Sequence, residues 1–306
     1  MRRHERLDLL AIAVLALLCA MWGLQQVTVK VAVAQGLPPL VQATLRSAGA
    51  AALCTLWIGG RGGRLGLRAA LGDGAAARVG LLLAVLFAAE FVAIYLGVKL
   101  TSASRAVLFI YTAPFFTALG AHLFLPQERL RAVQAAGLAT AFAGVVAAFA
   151  EGLLHGNGRI AGDALCAVGG ALWASTILII KASPSLRRAT SAGLLLYQLA
   201  GSAPLLLAAA WALGETGAPL HASALAWACL FYQTAVVAFA SYLAWFWLLL
   251  AYPATRLSGF TFMTPLFGIL AGGLLLGETL SAGLLVGLVA IIAGLRMINR
   301  PVPATA

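Results

Sequence analysis

Ten apolar stretches, most close to the twenty or so residues that cross a bilayer, follow one another along this chain of 306 residues. They run Leu9–Val33, Leu40–Gly59, Val79–Val98, Ser102–Leu125 and Ala132–Ala150, then Gly162–Ile180, Ser191–Leu213, Ala222–Leu250, Leu257–Leu276 and Ser281–Ile298. Backbone groups in hydrocarbon must be satisfied within the segment that carries them, so such stretches form helices and not strands. The pattern predicts an all-α integral membrane protein with ten transmembrane helices. Composition agrees: 62% of residues are hydrophobic and 9% charged, against roughly 45–50% and 25% in soluble proteins. So little charge cannot cover a water-facing surface. That excludes a water-soluble enzyme, a disordered tail protein and a single-anchor receptor.

The basic excess, 20 Lys and Arg against 9 Asp and Glu, would suggest nucleic acid in a soluble chain. Here the basic residues stand singly at the ends of apolar runs, which points to membrane orientation and away from a nucleic-acid partner. Alternating the connections puts 15 on one side: Arg2, Arg3, Arg6, Arg61, Arg64, Arg68, Arg78, Arg129, Arg131, Lys181, Arg187, Arg188, Arg256, Arg296 and Arg300. The other side has 4, Lys30, Lys99, Arg105 and Arg159. The asymmetry predicts cytoplasmic termini. The Arg61–Arg78 break is long enough for a short interfacial helix. The opening MRRHER with Leu7–Gly23 superficially resembles a signal peptide, but the apolar run continues to Val33 without a small-residue cleavage pattern, so it counts as the first span. Cys19, Cys54, Cys166 and Cys229 all lie in apolar runs and read as small core residues.

The chain also repeats itself. At a shift of 151, Trp22 falls on Trp173, Lys30 on Lys181, Arg105 on Arg256, Phe109 on Phe260, Pro114 on Pro265 and Phe116 on Phe267. After a slip of one residue, Glu128 falls on Glu278, Leu130 on Leu280, Gly137 on Gly287 and Gly144 on Gly294. Rare residue types holding one register across several segments mark a true repeat, with halves 1–151 and 152–306. Each half has 5 apolar stretches, an odd number, so the second half enters from the opposite side. Inverted repeats are the architecture of alternating-access carriers.

The paired segments YLGVKLTSASRAVLFIYTAPFFTALGAHLFLPQERL and SYLAWFWLLLAYPATRLSGFTFMTPLFGILAGGLLLGETL resemble the signature of the EamA-type transporters of the drug/metabolite transporter superfamily. In both, a small-residue turn precedes an apolar helix with a central Pro and then a turn carrying Glu. The resemblance covers nearly the whole chain, although Pro126–Glu128 replaces the usual Gly-Glu turn. It implies a five-plus-five carrier of a bacterial-type inner membrane, commonly an exporter of amino acids or related small metabolites. It also implies a role for Tyr242, which matches a tyrosine common in the family's eighth span.

The interior polar residues are the candidates for transport. Arg46 lies seven residues inward of Pro39 and Glu90 eight inward of Val98, about 10 and 12 Å from the same face. Intramembrane charges line cavities or pair, so this pair is either a structural lock or part of the binding site. Trp22, Gln25, Gln26 and Val29 share one stripe of the first helix, and Trp22 is too deep for an interfacial anchor. We expect Trp22, Gln26 and the repeat mate Trp173 to line a cavity. Tyr111, Tyr197, Gln198 and Gln233 are further candidates that a nearby carbonyl could also satisfy. Lys30 and Lys181 read as snorkelling anchors, and Trp227, Trp245 and Trp247 as interfacial or lipid-facing rings. Pro114 and Pro265 should kink their helices near the midplane as hinges.

The sequence contains no HExxH, GxSxG, GxGxxG, Walker A or EF-hand pattern. Metal, cofactor and enzyme readings therefore have no motif behind them. A secondary carrier, driven by a substrate gradient or a coupled ion such as a proton, is the expected function. An intramembrane enzyme or lipid-handling protein using Glu90 and Arg46, or a channel, are the alternatives. A small-molecule substrate and the lipid bilayer are the expected partners.

Overall fold

The computed structural model describes residues 7–155, 159–186, 189–216, 221–277 and 282–300. Glu278 and Leu280 of the repeat register, Ser281 of the tenth apolar stretch, and Arg2, Arg3, Arg6, Arg187 and Arg188 of the charge pattern lie outside the described residues. Among those described there is no strand. The first half comprises α1 (Leu9–Ala34), α2 (Pro39–Leu71), α3 (Gly74–Leu100), α4 (Ala103–Ile110), α5 (Ala113–Phe124), α6 (Ala132–Ala148) and the short α7 (Ala150–His155). The second comprises α8 (Ile160–Ala182), α9 (Ser191–Ala212), α10 (Ala224–Phe231), a π-helical segment Tyr232–Ser241, α11 (Tyr242–Ala251), α12 (Ala254–Phe260), α13 (Met263–Leu276) and α14 (Ala282–Ile298).

Seven continuous or nearly continuous helices are long and apolar enough to cross a membrane, with shorter apolar helices at Ala132–Ala148 and Gly283–Ile298. The long α2 is not one of the seven. It carries Gln42 and Arg46 in its first turns and Arg61, Arg64 and Arg68 in its last. The helix runs past Gly59 into the basic segment and bends at Gly63, whose φ of 54° suits a glycine.

Helix starts follow from short polar residues at the caps, which accept from backbone N–H groups otherwise left without partners. Asp8 accepts from Ala11 N at 2.8 Å, Asp73 from Ala76 N at 2.9 Å and Thr190 from Gly193 N at 3.0 Å. Two starts follow prolines and have no cap of their own; each takes one from a distant glutamate. Leu40 N donates to Glu215 Oε2 at 2.8 Å, and Ala254 N to Glu128 Oε2 at 2.6 Å.

Hydrophobic burial does not pull helices together inside lipid, so close backbone approach matters more. Glycines provide it. Helices α6 and α14 meet through Gly137 against Gly294 and Gly144 against Gly287, so close that a methyl on Gly144 would sit 2.7 Å from the Gly287 carbonyl oxygen. These four glycines are the ones the repeat register superimposes, so equivalent helices of the two halves pack on each other reciprocally. Between α3 and α8, Gly97 faces Cys166 in the same manner. The outer faces carry exposed Leu17, Leu56, Leu123, Trp211, Phe231 and Leu274, a lipid-facing surface that water would not tolerate. All four cysteines are buried and free, as their apolar settings predict.

Candidate functional site

The segments that carry the paired prolines are broken helices. The first is interrupted between Ile110 and Ala113, the second between Phe260 and Met263. Proline lacks an N–H, so the carbonyl four residues earlier loses its helical donor. For Pro114 that carbonyl is Ile110 O, and Gly170 of α8 leaves room for it: a Cβ there would approach the oxygen to 2.6 Å. Threonines at the breaks satisfy other carbonyls. The Thr112 hydroxyl donates to Phe109 O at 2.6 Å and the Thr261 hydroxyl to Ser258 O at 2.7 Å. At the expected kinks the α-helix gives way to a short turn with i→i−3 hydrogen bonds, such as Thr112 N to Phe109 O and Thr261 N to Ser258 O, at matching places in the two halves.

Between the breaks lies a cavity of about 180 Å³. From α1 it is lined by Trp22, Gln25 and Gln26, and from the equivalent α8 by Trp173, Thr176 and Ile177. Trp22 and Trp173 occupy matching positions in the repeat, as do Gln25 and Thr176, since each pair is 151 apart. Glu90 and Phe87 enter from α3, Gln198 from α9, and Tyr242, Trp245 and Phe246 from α11. The broken helices contribute Ile110 and Tyr111 from one and Thr264 from the other.

The rings are fixed by one another. Trp22 Nε1 donates to Ser241 Oγ at 2.9 Å, so its polar edge is satisfied. It meets Tyr242 and Trp245 edge-to-face, with centroids 6.2 and 5.4 Å apart. Tyr111 and Trp173 form the corresponding pair across the cavity at 6.4 Å and 86°. Such T-shaped pairs are favourable by about 0.5–1.5 kcal/mol beyond burial. The Tyr111 hydroxyl lies beside the side chains of Thr264 and Gln26.

Several expectations need correction. Glu90 lines the cavity, but Arg46 stands behind its wall, 1% exposed, with its guanidinium 4.5 Å over the Phe91 ring. The two charges feel each other's field, and Tyr242 lies close to both, yet among the described residues no carboxylate forms an ion pair with Arg46. Its Nε and Nη2 have no hydrogen-bond partner. Helical rise sets their common depth, but the guanidinium stacks on Phe91 and lies near Tyr242 without forming an ion pair with Glu90. Gln233 is not at the cavity. It donates to Gln42 Oε1 at 2.9 Å, while Gln42 donates to Leu37 O at 2.7 Å, a buried bridge between helices. Tyr197 is also elsewhere: its hydroxyl donates to Leu71 O at 2.5 Å, and its ring packs on Gly80. Trp245, expected at the lipid face, is 6% exposed and lines the cavity.

Lys181 is no snorkelling anchor. Its side chain is 3% exposed, 3.3 Å from Glu128, and donates to Tyr252 O at 2.5 Å. Tyr252 in turn donates to Asp8 Oδ2 at 2.9 Å. Burial, together with the Asp8 carboxylate, pushes the Tyr252 phenol above its ordinary range. At the end of the bundle where α1 and α12 start, these groups tie several helices together in one polar lock. The repeat mate Lys30 is exposed. A second ion pair, Arg105 with Asp163, is supported by the Thr101 hydroxyl donating to the same carboxylate at 2.7 Å.

Two helical repeats around an aromatic cavity define a polytopic membrane protein. The chain belongs to the EamA-like transporter family, whose sequence profile matches residues 9–150 and again 160–300. A comparison with curated proteins gives no significant match. Among solved structures, 28 chains match significantly. One crystal structure superposes with a TM-score of 0.76, covering 93% of each chain at 18% identity, a likeness of fold alone.

Proposed function

We propose that the chain is a secondary carrier that moves a small metabolite, an amino acid or related compound, out of the cell by alternating access. In this reading the ten apolar stretches form ten membrane-spanning helices, two inverted sets of five, in a bacterial-type inner membrane with both termini cytoplasmic. It is not an enzyme, and its energy comes from the substrate gradient or a coupled ion. The cavity carries the reading. It lies between two broken helices, is flanked by Trp22 and Trp173 at matching repeat positions, and has rings and polar groups suited to an amphipathic ligand. Interrupted helices in corresponding segments of two repeats are where carriers bind substrate. In this reading the buried Lys181–Glu128 pair holds one end shut, and its opening gives the second state. An untargeted comparison of metabolites in medium from cells with and without the protein tests the reading. The expected result is one or a few compounds enriched outside expressing cells; an unchanged medium across growth conditions counts against export.

A further inference from the structure

Among the described residues, the cavity's lining holds one carboxylate, Glu90, and no lysine, arginine or histidine. Glu90 lines it and, among the described residues, makes no hydrogen bond or ion pair. Gln198, 4% exposed and on the same wall, has its Oε1 buried without a donor. An acceptor left unmet in a dry site is costly until something donates to it. The cation nearest the cavity, Arg46, is not part of its lining, and it does not occupy the Glu90 carboxylate. A ligand carboxylate entering here would meet ring faces and Glu90, and no cation.

The rings point the same way. Trp22, Tyr242, Trp245 and Phe87 stand at steep angles to one another, with interplanar angles of 81°, 71° and 90° for the contacting pairs. All four rings line the cavity beside Glu90. With the Trp22 N–H engaged by Ser241, what that ring offers a ligand is its π surface. Ring faces beside a carboxylate attract an ammonium group, most strongly where water is excluded. The volume, about 180 Å³, compares with the engineered cavity of about 150 Å³ that holds benzene. It fits one ring-sized apolar body with a short polar arm.

We infer that the cavity selects a compact amphipathic organic cation, an amine without a free carboxylate, with Glu90 as counter-ion and Gln198 accepting a further N–H. This rests on the carrier reading and narrows its substrate to the amine relatives of amino acids. The purified full chain in nanodiscs is titrated with phenethylamine, 2-phenylethanol, 3-phenylpropionate and phenylalanine, following tryptophan fluorescence and thermal unfolding. Phenethylamine is expected to bind roughly 10- to 100-fold more tightly than the other three, the value of a charge-assisted hydrogen bond. Glu90→Gln is expected to erase the advantage of phenethylamine over 2-phenylethanol. Equal or tighter binding of phenylalanine or 3-phenylpropionate overturns the inference, as does binding of none of the four. So does an undiminished amine preference in Glu90→Gln. The wild-type series decides even where the variant fails to fold. Proteoliposome counterflow of the exported metabolite, run on the same preparation, separates the two claims. Intact counterflow with a failed amine preference removes only the charge assignment, whereas absent counterflow removes the carrier reading.

Discussion

Replacing Lys181 by Met removes the ammonium from the lock that joins Glu128 and Tyr252. Lys181 Nζ lies 3.3 Å from the Glu128 carboxylate and 2.5 Å from Tyr252 O, and Glu128 also receives Ala254 N at 2.6 Å. The two side chains are 3% and 9% exposed, so solvent screens the pair little. Removing one partner of such a pair and leaving the other buried costs about 3–5 kcal/mol. The cost falls on the conformation in which this end is shut; opening hydrates Glu128 and relieves it. The open-to-shut ratio therefore rises by roughly 10²- to 10³-fold. Ile180 lines the cavity next to Lys181, and the native cysteines are all buried, so a cysteine at position 180 reports on this end. In inside-out vesicles, Lys181→Met should greatly speed its labelling by an impermeant thiol reagent. Glu128→Gln added to Lys181→Met removes the stranded charge and should return the labelling rate part of the way. An unchanged rate in folded Lys181→Met protein would refute the reasoning.

Other consequences are simpler to check. Pro114→Ala or Pro265→Ala restores a helical N–H beside a break, and each should lower export while leaving the amount of folded protein unchanged; wild-type rates in both remove the hinge reading. Gly144→Val drives a side chain into the Gly287 backbone and should cost about 1–3 kcal/mol, read as a lower unfolding temperature in detergent. The charge swap Arg46→Glu with Glu90→Arg should not restore export, because the two side chains do not pair; full rescue would restore the structural-lock reading. A cysteine at Arg159, in the connection between the halves, should react with impermeant reagent in intact cells; labelling only after permeabilisation reverses the topology.

The repeat register told most about the site because matched residues constrain each other. Trp22 and Trp173, and Pro114 and Pro265, were legible from one arithmetic shift, and each pair sits where the shift implies. Glu90 was placed by the cost of burying charge. What sequence could not supply was rotation and distant partners. A rise of 1.5 Å per residue gives depth but not which way Arg46 faces. Gln233 is satisfied by Gln42, 191 residues away, which no local pattern announces. Trp245 was read as interfacial or lipid-facing from its residue type alone, and it follows the π-helical segment Tyr232–Ser241. The i→i+5 winding shifts the face presented by residues beyond it, so a count of 3.6 per turn fails. Gln25 and Thr176 were within reach, since they lie a turn from the paired tryptophans and match each other in the repeat. Lys181 and Lys30 looked alike in sequence; burial against Glu128 sets Lys181 apart from the exposed Lys30.

Counterflow tests the central claim most directly. Proteoliposomes are loaded with the unlabelled compound that expressing cells enrich in their medium, then diluted into a trace of the labelled form. A carrier that alternates around the cavity between Trp22 and Trp173 should return to the outer face with unlabelled compound released, and so take up label to a transient overshoot. That uptake should saturate with external concentration and fall sharply in Glu90→Gln. Label entry that ignores the internal load and rises linearly with concentration would contradict the account and favour a channel.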